Sequence, residues 1–138
     1  MLRQPMKNRR GTEALGVTPL VLLVDDDPRV LSALGRSLRR EPYAIETAPD
    51  GARALDRLAG DPPVGLVISD FKMPGMTGLE LLTAVRAKAP NTARILLSGW
   101  TSTLGPQDLE AAGLFATHNK PWDDQELKLS IRAALGLG

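Results

Sequence analysis

Short apolar runs rich in Val, Ile and Leu alternate along this chain with segments in which apolar residues recur at helical spacing. Leu20–Val24 is continuously apolar and predicts a buried strand. Val30, Leu31, Leu34 and Leu38 then follow the helical period, with Asp27 placed as N-cap and Pro28 at the first helical position. Ala44–Ala48 predicts a second, weaker strand. Asp50 caps the helix after it, whose inward residues are expected to be Ala52, Leu55 and Leu58 or Ala59. Val64–Ser69 predicts the third strand, with Gly65, Leu66, Val67 and Ile68 buried on both faces. A loop containing Pro74, Gly75 and Gly78 leads into a helix with Leu79, Leu82 and Val85 on one side, ended by Pro90. Ile95–Leu97 lies in a fourth strand and Phe115–Asn119 forms a fifth. Between them, Gly105-Pro106 leaves room for a short helix over Gln107–Ala112. The last helix starts near Asp123, with Glu126 as its capping-box partner and Leu127, Ile131, Ala134 and Leu135 facing inward.

Strands alternating with helices in this way imply the α/β class. Parallel strands need crossover connections, so the helices cover both faces of a doubly wound, five-stranded parallel sheet. Such sheets carry their sites at the carboxyl ends of the strands, beside a topological switch point. The 138 residues suit one domain, and a hydrophobic fraction of 43% with only 4% aromatics leaves Leu, Val, Ile and Ala to fill the core. The expected organisation is a disordered basic leader over residues 1–18 and a single domain over 19–138. In the leader Arg3, Lys7, Arg9 and Arg10 face only Glu13, but without interleaved aromatics they do not make a nucleic-acid site. The absence of cysteine excludes disulfides and thiolate metal sites. The longest apolar run is too short to cross a bilayer and no signal-peptide stretch is present, so a cytoplasmic location is expected.

Polar residues gather where the apolar strands end. The first strand runs into Asp25, Asp26 and Asp27, the third ends in Ser69-Asp70, the fourth in Ser98-Gly99 and the fifth in Lys120-Pro121. In a parallel sheet these ends share one rim, which gathers three carboxylates (Asp25, Asp26, Asp70), a hydroxyl and an ammonium. Clustered carboxylates call for a hard divalent cation, and Mg2+ favours one or two carboxylates together with waters and phosphate oxygens. An aspartate held beside such a cation and a lysine can attack phosphorus and become an acyl phosphate. The competing reading of Asp27 is a helix cap, which suits it better than Asp25 or Asp26. His118, the single histidine, reads as an ordinary strand residue, Met73 and Met76 as loop packing, and Trp122 as packing at the start of the last helix.

These motifs in register resemble the receiver domains of two-component response regulators, the CheY-like superfamily. The resemblance rests on Asp25-Asp26-Asp27-Pro28 after an apolar strand, on the run from Val67 through Asp70 and Met73-Pro74-Gly75 to Gly78 and Leu81, on Leu96-Leu97-Ser98-Gly99, and on Lys120-Pro121-Trp122. The spacings suit the family: 44 positions from Asp26 to Asp70, 28 on to Ser98 and 22 on to Lys120. It covers roughly residues 19–136 and implies the flavodoxin-like (βα)5 receiver fold over the 19–138 domain. By position, Asp70 is the phosphoacceptor. Asp26 is the direct carboxylate ligand of Mg2+, Asp25 holds it through water, and the Lys72 backbone carbonyl completes the protein ligands. Ser98 bonds one phosphoryl oxygen and Lys120 pairs with another. The Lys120–Pro121 bond is commonly cis in this family. The implied phosphodonor is a sensor histidine kinase or a phosphotransfer protein, and the output lies in a downstream protein or an output domain, not in an enzymatic activity of this domain.

The chain also departs from the family pattern. Thr117 stands where many receivers carry a Tyr or Phe whose ring turns inward on phosphorylation, and the short fourth helix alters a surface that many members use to dimerise. Lys72 and Trp100 occupy the positions flanking the approach of hydrolytic water, which implies slow loss of the phosphoryl group, while Gly99 leaves the site open to a donor. Two other readings stay in play: a receiver-like binding module that is not phosphorylated, and a haloacid-dehalogenase-type phosphatase. The phosphatase needs an Asp-x-Asp-x-Thr/Val pattern at the first strand, and Arg29 breaks it.

Overall fold

The computed structural model describes residues 18–99 and 104–137, so the leader up to Val17, as well as Trp100, lies outside the described residues. Strands β1 (Leu20–Val24), β2 (Ala44–Ala48), β3 (Leu66–Asp70), β4 (Ala93–Ser98) and β5 (Ala116–Asn119) alternate with helices α1 (Pro28–Ser37), α2 (Gly51–Leu58), α3 (Gly78–Lys88), α4 (Pro106–Ala112) and α5 (Asp124–Leu135). The strands form one sheet in the order β2-β1-β3-β4-β5, and every pair is parallel. The chain steps outward from β1 to β2 and then crosses back to β3. The carboxyl ends of β1 and β3 therefore flank the switch point that the α/β pattern calls for.

The apolar strands are buried on both faces because each face has its own core. Val21, Leu23, Leu66, Ile68, Ile95 and Leu97 pack with Leu34 and Leu38 at α1 and with Leu127, Ile131, Ala134 and Leu135 of α5. Their alternating neighbours Leu20, Leu22, Val24, Val67 and Leu96 pack with Ala54 of α2, Leu81, Leu82 and Val85 of α3, and Ala112 of α4. The period of two along each strand decides which core a residue joins.

Helix starts follow the capping chemistry read from the sequence. Asp27, Asp50 and Asp123 accept from the N–H groups of Arg29, Arg53 and Glu126 at 2.9, 2.8 and 2.9 Å. A complete capping box forms where none was expected. The Thr77 hydroxyl accepts from the Glu80 N–H at 3.1 Å, and the Glu80 carboxylate accepts from the Thr77 N–H at 2.9 Å. The short α4 starts on Pro106 and ends at Gly113 in the left-handed region (φ 59°). Its last carbonyls are held from outside, because Arg86 Nη1 donates to Glu110 O and Ala111 O at 2.8 and 3.1 Å.

Four expectations are corrected. Strand β3 starts at Leu66 rather than Val64 and runs on through Asp70, because Asp70 pairs in register with Leu97 and the Phe71 N–H donates to Leu97 O at 2.9 Å. Strand β5 starts at Ala116, and Phe115 is 51% exposed. Helix α2 turns Gly51 and Ala54 inward and leaves Ala52 and Ala59 exposed. Gly51 lies against Met76, so closely that a Cβ there would be 2.7 Å from Met76 Sδ, and Leu55 and Leu58 pack partly buried on the same core. Helix α3 buries Gly78 and Leu81 besides Leu82 and Val85, while Leu79 is half-buried, because α2 and α4 flank it as well as the sheet beneath.

Two glycines in helices make opposite predictions. A Cβ on Gly78 would lie 1.9 Å from the Asp70 carbonyl oxygen, so α3 would have to lift off β3. Gly78→Ala is expected to lower unfolding stability by about 2 kcal/mol or more. Gly35, inside α1, has open space where a Cβ would point, and Gly35→Ala is expected to raise stability by about 0.5–1 kcal/mol. Urea unfolding of both variants checks the pair, and equal effects would contradict the packing described.

Candidate functional site

The site is built from strand ends. Residues Val21, Leu23 and Asp25 alternate onto the face of the sheet covered by α1 and α5, as do Leu66, Ile68 and Asp70 and then Ala116, His118 and Lys120. This parity brings Asp25, Asp70 and Lys120 to the same side of the carboxyl rim. Asp25 is 2% exposed and Asp70 is 7% exposed. The Lys120 ammonium donates to Asp70 Oδ1 at 3.1 Å and to Asp25 Oδ2 at 3.2 Å. Asp26 is exposed beside them, and carboxylate oxygens of Asp25, Asp26 and Asp70 lie within 4.8 Å of one another.

Each charge in this group is shaped by its neighbours. Burial pushes the Asp25 carboxyl above its ordinary range. The Asp27 N–H bond at 2.9 Å opposes that shift, the negative charge of Asp70 adds to it, and Lys120 opposes it again. For Lys120, burial pulls the ammonium down, but hydrogen bonds and charge from Asp70 and Asp25 outweigh it and the net direction is up. The lysine stays charged between two carboxylates. Asp27 takes no part in this cluster. It caps α1 and binds Arg29 through both oxygens, at 3.2 and 3.0 Å, and the Arg29 bonds hold its carboxyl below the usual range.

Ser98 lies at the same rim on the opposite parity. It is the last residue of β4, directly follows Leu97 (the register partner of Asp70) and is buried. The Lys120 N–H donates to Ser98 O at 3.2 Å, and the Lys120–Pro121 bond is cis. The Lys72 side chain is exposed beside the rim. Of the residues read as bland, His118 Nε2 pairs with Ser130 Oγ at 2.8 Å, Met73 is buried in the core under α2 and α3, and Trp122 packs, partly buried, against the opposite core and donates to Asp124 Oδ1 at 2.9 Å. Thr117 is exposed on β5. Two residues of the site's support were missed. Ser69 bonds the Asp70 backbone, a contact without a sequence signal, and Thr77 caps α3, for which Thr77-x-x-Glu80 was a legible signal.

The donor set suits a hard cation. It consists of carboxylates alone, with no sulfur or imidazole, and buried like charges of this kind are stabilised by a divalent ion with oxygen preference. Among the described residues, no helix is long and apolar enough to cross a membrane.

Comparison with known proteins agrees with this geometry. The family model described as the response regulator receiver domain matches residues 21–132. The chain is 37% identical over 120 residues to the hydrogenase transcriptional regulatory protein HoxA of Cupriavidus necator, covering 83% of this chain and 24% of that protein. It is 38% identical over 125 residues to the transcriptional regulatory protein PrrA of Mycobacterium tuberculosis, covering 87% of this chain and 52% of that one. The chain thus spans between a quarter and about half the length of these curated relatives. Among solved structures, the receiver domain of an HD domain-containing protein from Pseudomonas fluorescens superposes with a TM-score of 0.77 at 36% identity, over 86% of this chain and 95% of that one. The chemotaxis response regulator CheY4 of Vibrio cholerae does so with a TM-score of 0.75 at 31% identity, over 86% and 100%. The order of strands, the acidic rim and these matches converge, and the chain belongs to the receiver-domain family of two-component response regulators.

Proposed function

We propose that this domain is a phosphorylation switch in which Asp70 accepts a phosphoryl group from a sensor histidine kinase or a phosphotransfer protein, in a reaction that depends on Mg2+. The observation that carries this reading is the Lys120 ammonium, bonded at once to Asp70 and Asp25 inside a cluster of three carboxylates. Asp25 spends one oxygen on Lys120 and the other on the Asp27 N–H, whereas Asp26 is exposed. This supports Asp26 and Asp70 as direct ligands, Asp25 as a ligand through water, and the Lys72 backbone carbonyl as the remaining protein ligand. Bound Mg2+ supplies positive charge for the carboxylates and for the phosphoryl oxygens of the donor.

In the transfer, a carboxylate oxygen of Asp70 attacks phosphorus. The bond from phosphorus to the donor's imidazole nitrogen, or to the acetate oxygen of a small donor, breaks, and the leaving group keeps the electron pair. Lys120 keeps its charge near neutral pH and pairs with a phosphoryl oxygen as the negative charge shifts outward. Ser98, at the end of the neighbouring strand, bonds another. Open space beside Gly99, as far as the described residues define it, leaves room for the donor. The phosphoryl group then biases the loops after β3 and β4 toward a second arrangement that partners recognise. With exposed Thr117 in place of an aromatic ring, the readout runs through Ser98. The output is carried by a downstream protein or by an output domain outside these residues.

Incubation with acetyl phosphate and Mg2+ is expected to add one phosphoryl mass to the wild type. The adduct should be absent from Asp70→Ala and from wild type in chelator, as read by intact-mass spectrometry. An unmodified wild type, also after incubation with a phosphorylated kinase, would leave a phosphorylation-independent binding module. A second prediction follows from the raised Asp25 carboxyl. A group whose folded pKa is raised favours the fold while protonated and loses that contribution as pH rises from its ordinary value near 3.8 through the folded one. Asp25→Asn removes the charge and keeps an oxygen for the Asp27 N–H. The metal-free variant should gain thermal stability over wild type as pH is raised from about 4 to about 7, and Mg2+ should narrow the gap. A gap that does not change with pH would contradict the electrostatic origin.

A further inference from the structure

Ser69 is completely buried and precedes the acceptor, yet the reaction outlined above gives it no task. Alternation along β3 turns Asp70 toward the face of Leu66 and Ile68, and turns Ser69 toward the opposite face, which it shares with Val67. A hydroxyl on that apolar face needs a partner, and a valine there would need none. The hydroxyl donates to the backbone carbonyl of Asp70 at 2.9 Å. Helix α3 closes on the same carbonyl, since a Cβ on Gly78 would stand 1.9 Å from that oxygen and 2.9 Å from Ser69 Oγ. The next peptide is held as well: the Phe71 N–H donates to Leu97 O at 2.9 Å, and Phe71 O accepts from the Gly78 N–H at 2.8 Å. The backbone leaving Asp70 is therefore fixed by bonds to β4 and α3 and by the one from Ser69.

We propose that Ser69 is a positioning residue for the metal and phosphoryl site. Its hydroxyl sets the orientation of the peptide that follows Asp70, and through it the aim of the Asp70 carboxylate and of the Lys72 carbonyl two residues on. The proposal rests on the Mg2+-dependent reading of this rim. It assigns the hydroxyl to site geometry in addition to its share in the fold.

The structure contains a matched control. Thr92 is also buried, and its hydroxyl donates to the Val64 carbonyl at 2.8 Å, just before β3 begins and away from the carboxyl rim. Losing either bond removes one buried hydrogen bond from the fold, but only Ser69 adjoins the site. Mg2+ binding by isothermal titration calorimetry, without any phosphodonor, separates the two roles. Ser69→Ala is expected to weaken Mg2+ binding about 5- to 10-fold, the factor that one net hydrogen bond represents. Ser69→Thr, which keeps the donor, should stay near wild type. Ser69→Cys, a weak donor of similar size, should fall with the alanine variant, and Thr92→Val should bind Mg2+ as wild type does. If Ser69→Ala does not fold, the Thr and Cys variants carry the same comparison.

Wild-type Mg2+ affinity in both Ser69→Ala and Ser69→Cys would overturn the proposal, as would equal weakening in Thr92→Val, which would mark a general loosening of the fold. A wild-type protein that binds no Mg2+ would overturn the metal-dependent function and this proposal with it. Wild-type binding that Ser69→Ala leaves unchanged would overturn this proposal alone.

Discussion

Everything at the carboxyl rim depends on one cation placed between two buried anions. Lys120, arriving from the edge strand, bonds Asp25 at the end of β1 and Asp70 at the end of β3. Two carboxylates this close and this buried repel each other, and burial raises the cost of charging either of them. The ammonium offsets part of that cost, as the raised Lys120 reflects, while the Asp25 carboxyl stays raised because burial and the charge of Asp70 outweigh what opposes them. What remains is a surplus of negative charge, with exposed Asp26 added to it. A site in this state favours a divalent cation, which brings the charge balance closer to neutrality and would offset the negative charge that the proposed phosphoryl transfer adds.

The fold supplies that placement by simple means. Parallel pairing puts every strand's carboxyl end on one edge, and the reversal of direction at β1 and β3 opens the crevice in which Asp25 and Asp70 meet. Strand alternation then aims Asp25, Asp70 and Lys120 to one side and Ser98 to the other, which puts polar groups on both sides of Asp70 for the proposed switch. The support beneath Asp70 is equally specific. Gly78 lets α3 come down onto the Asp70 carbonyl, the Thr77–Glu80 box starts that helix at the required turn, and Ser69 fills the space between.

Much of this was legible from residue pattern alone. The strands β1 and β2, the aspartate caps of α1, α2 and α5, and the brevity of α4 follow from runs, periods and caps that act locally. The acidic rim was legible because polar residues end four apolar strands. Some of the misses come from contacts made elsewhere in the chain. Helix α2 turns Gly51 and Ala54 inward rather than Ala52, and Met76, from the loop after β3, seats on Gly51. Strand β3 reached Asp70 because β4 supplied a register partner for it.

The sequence by itself determined the alternation of strands and helices, the two-faced apolar core and the identity of the charged groups at the strand ends. These depend on side-chain period and capping chemistry, which neighbouring residues settle among themselves. Tertiary structure alone decided which aspartates Lys120 binds, that β4 gives Asp70 a register partner in Leu97, and how deeply Asp25 and Asp70 are buried. Those outcomes depend on distances of a few ångströms between strands that are remote in the chain, and on burial that turns such distances into selective interactions.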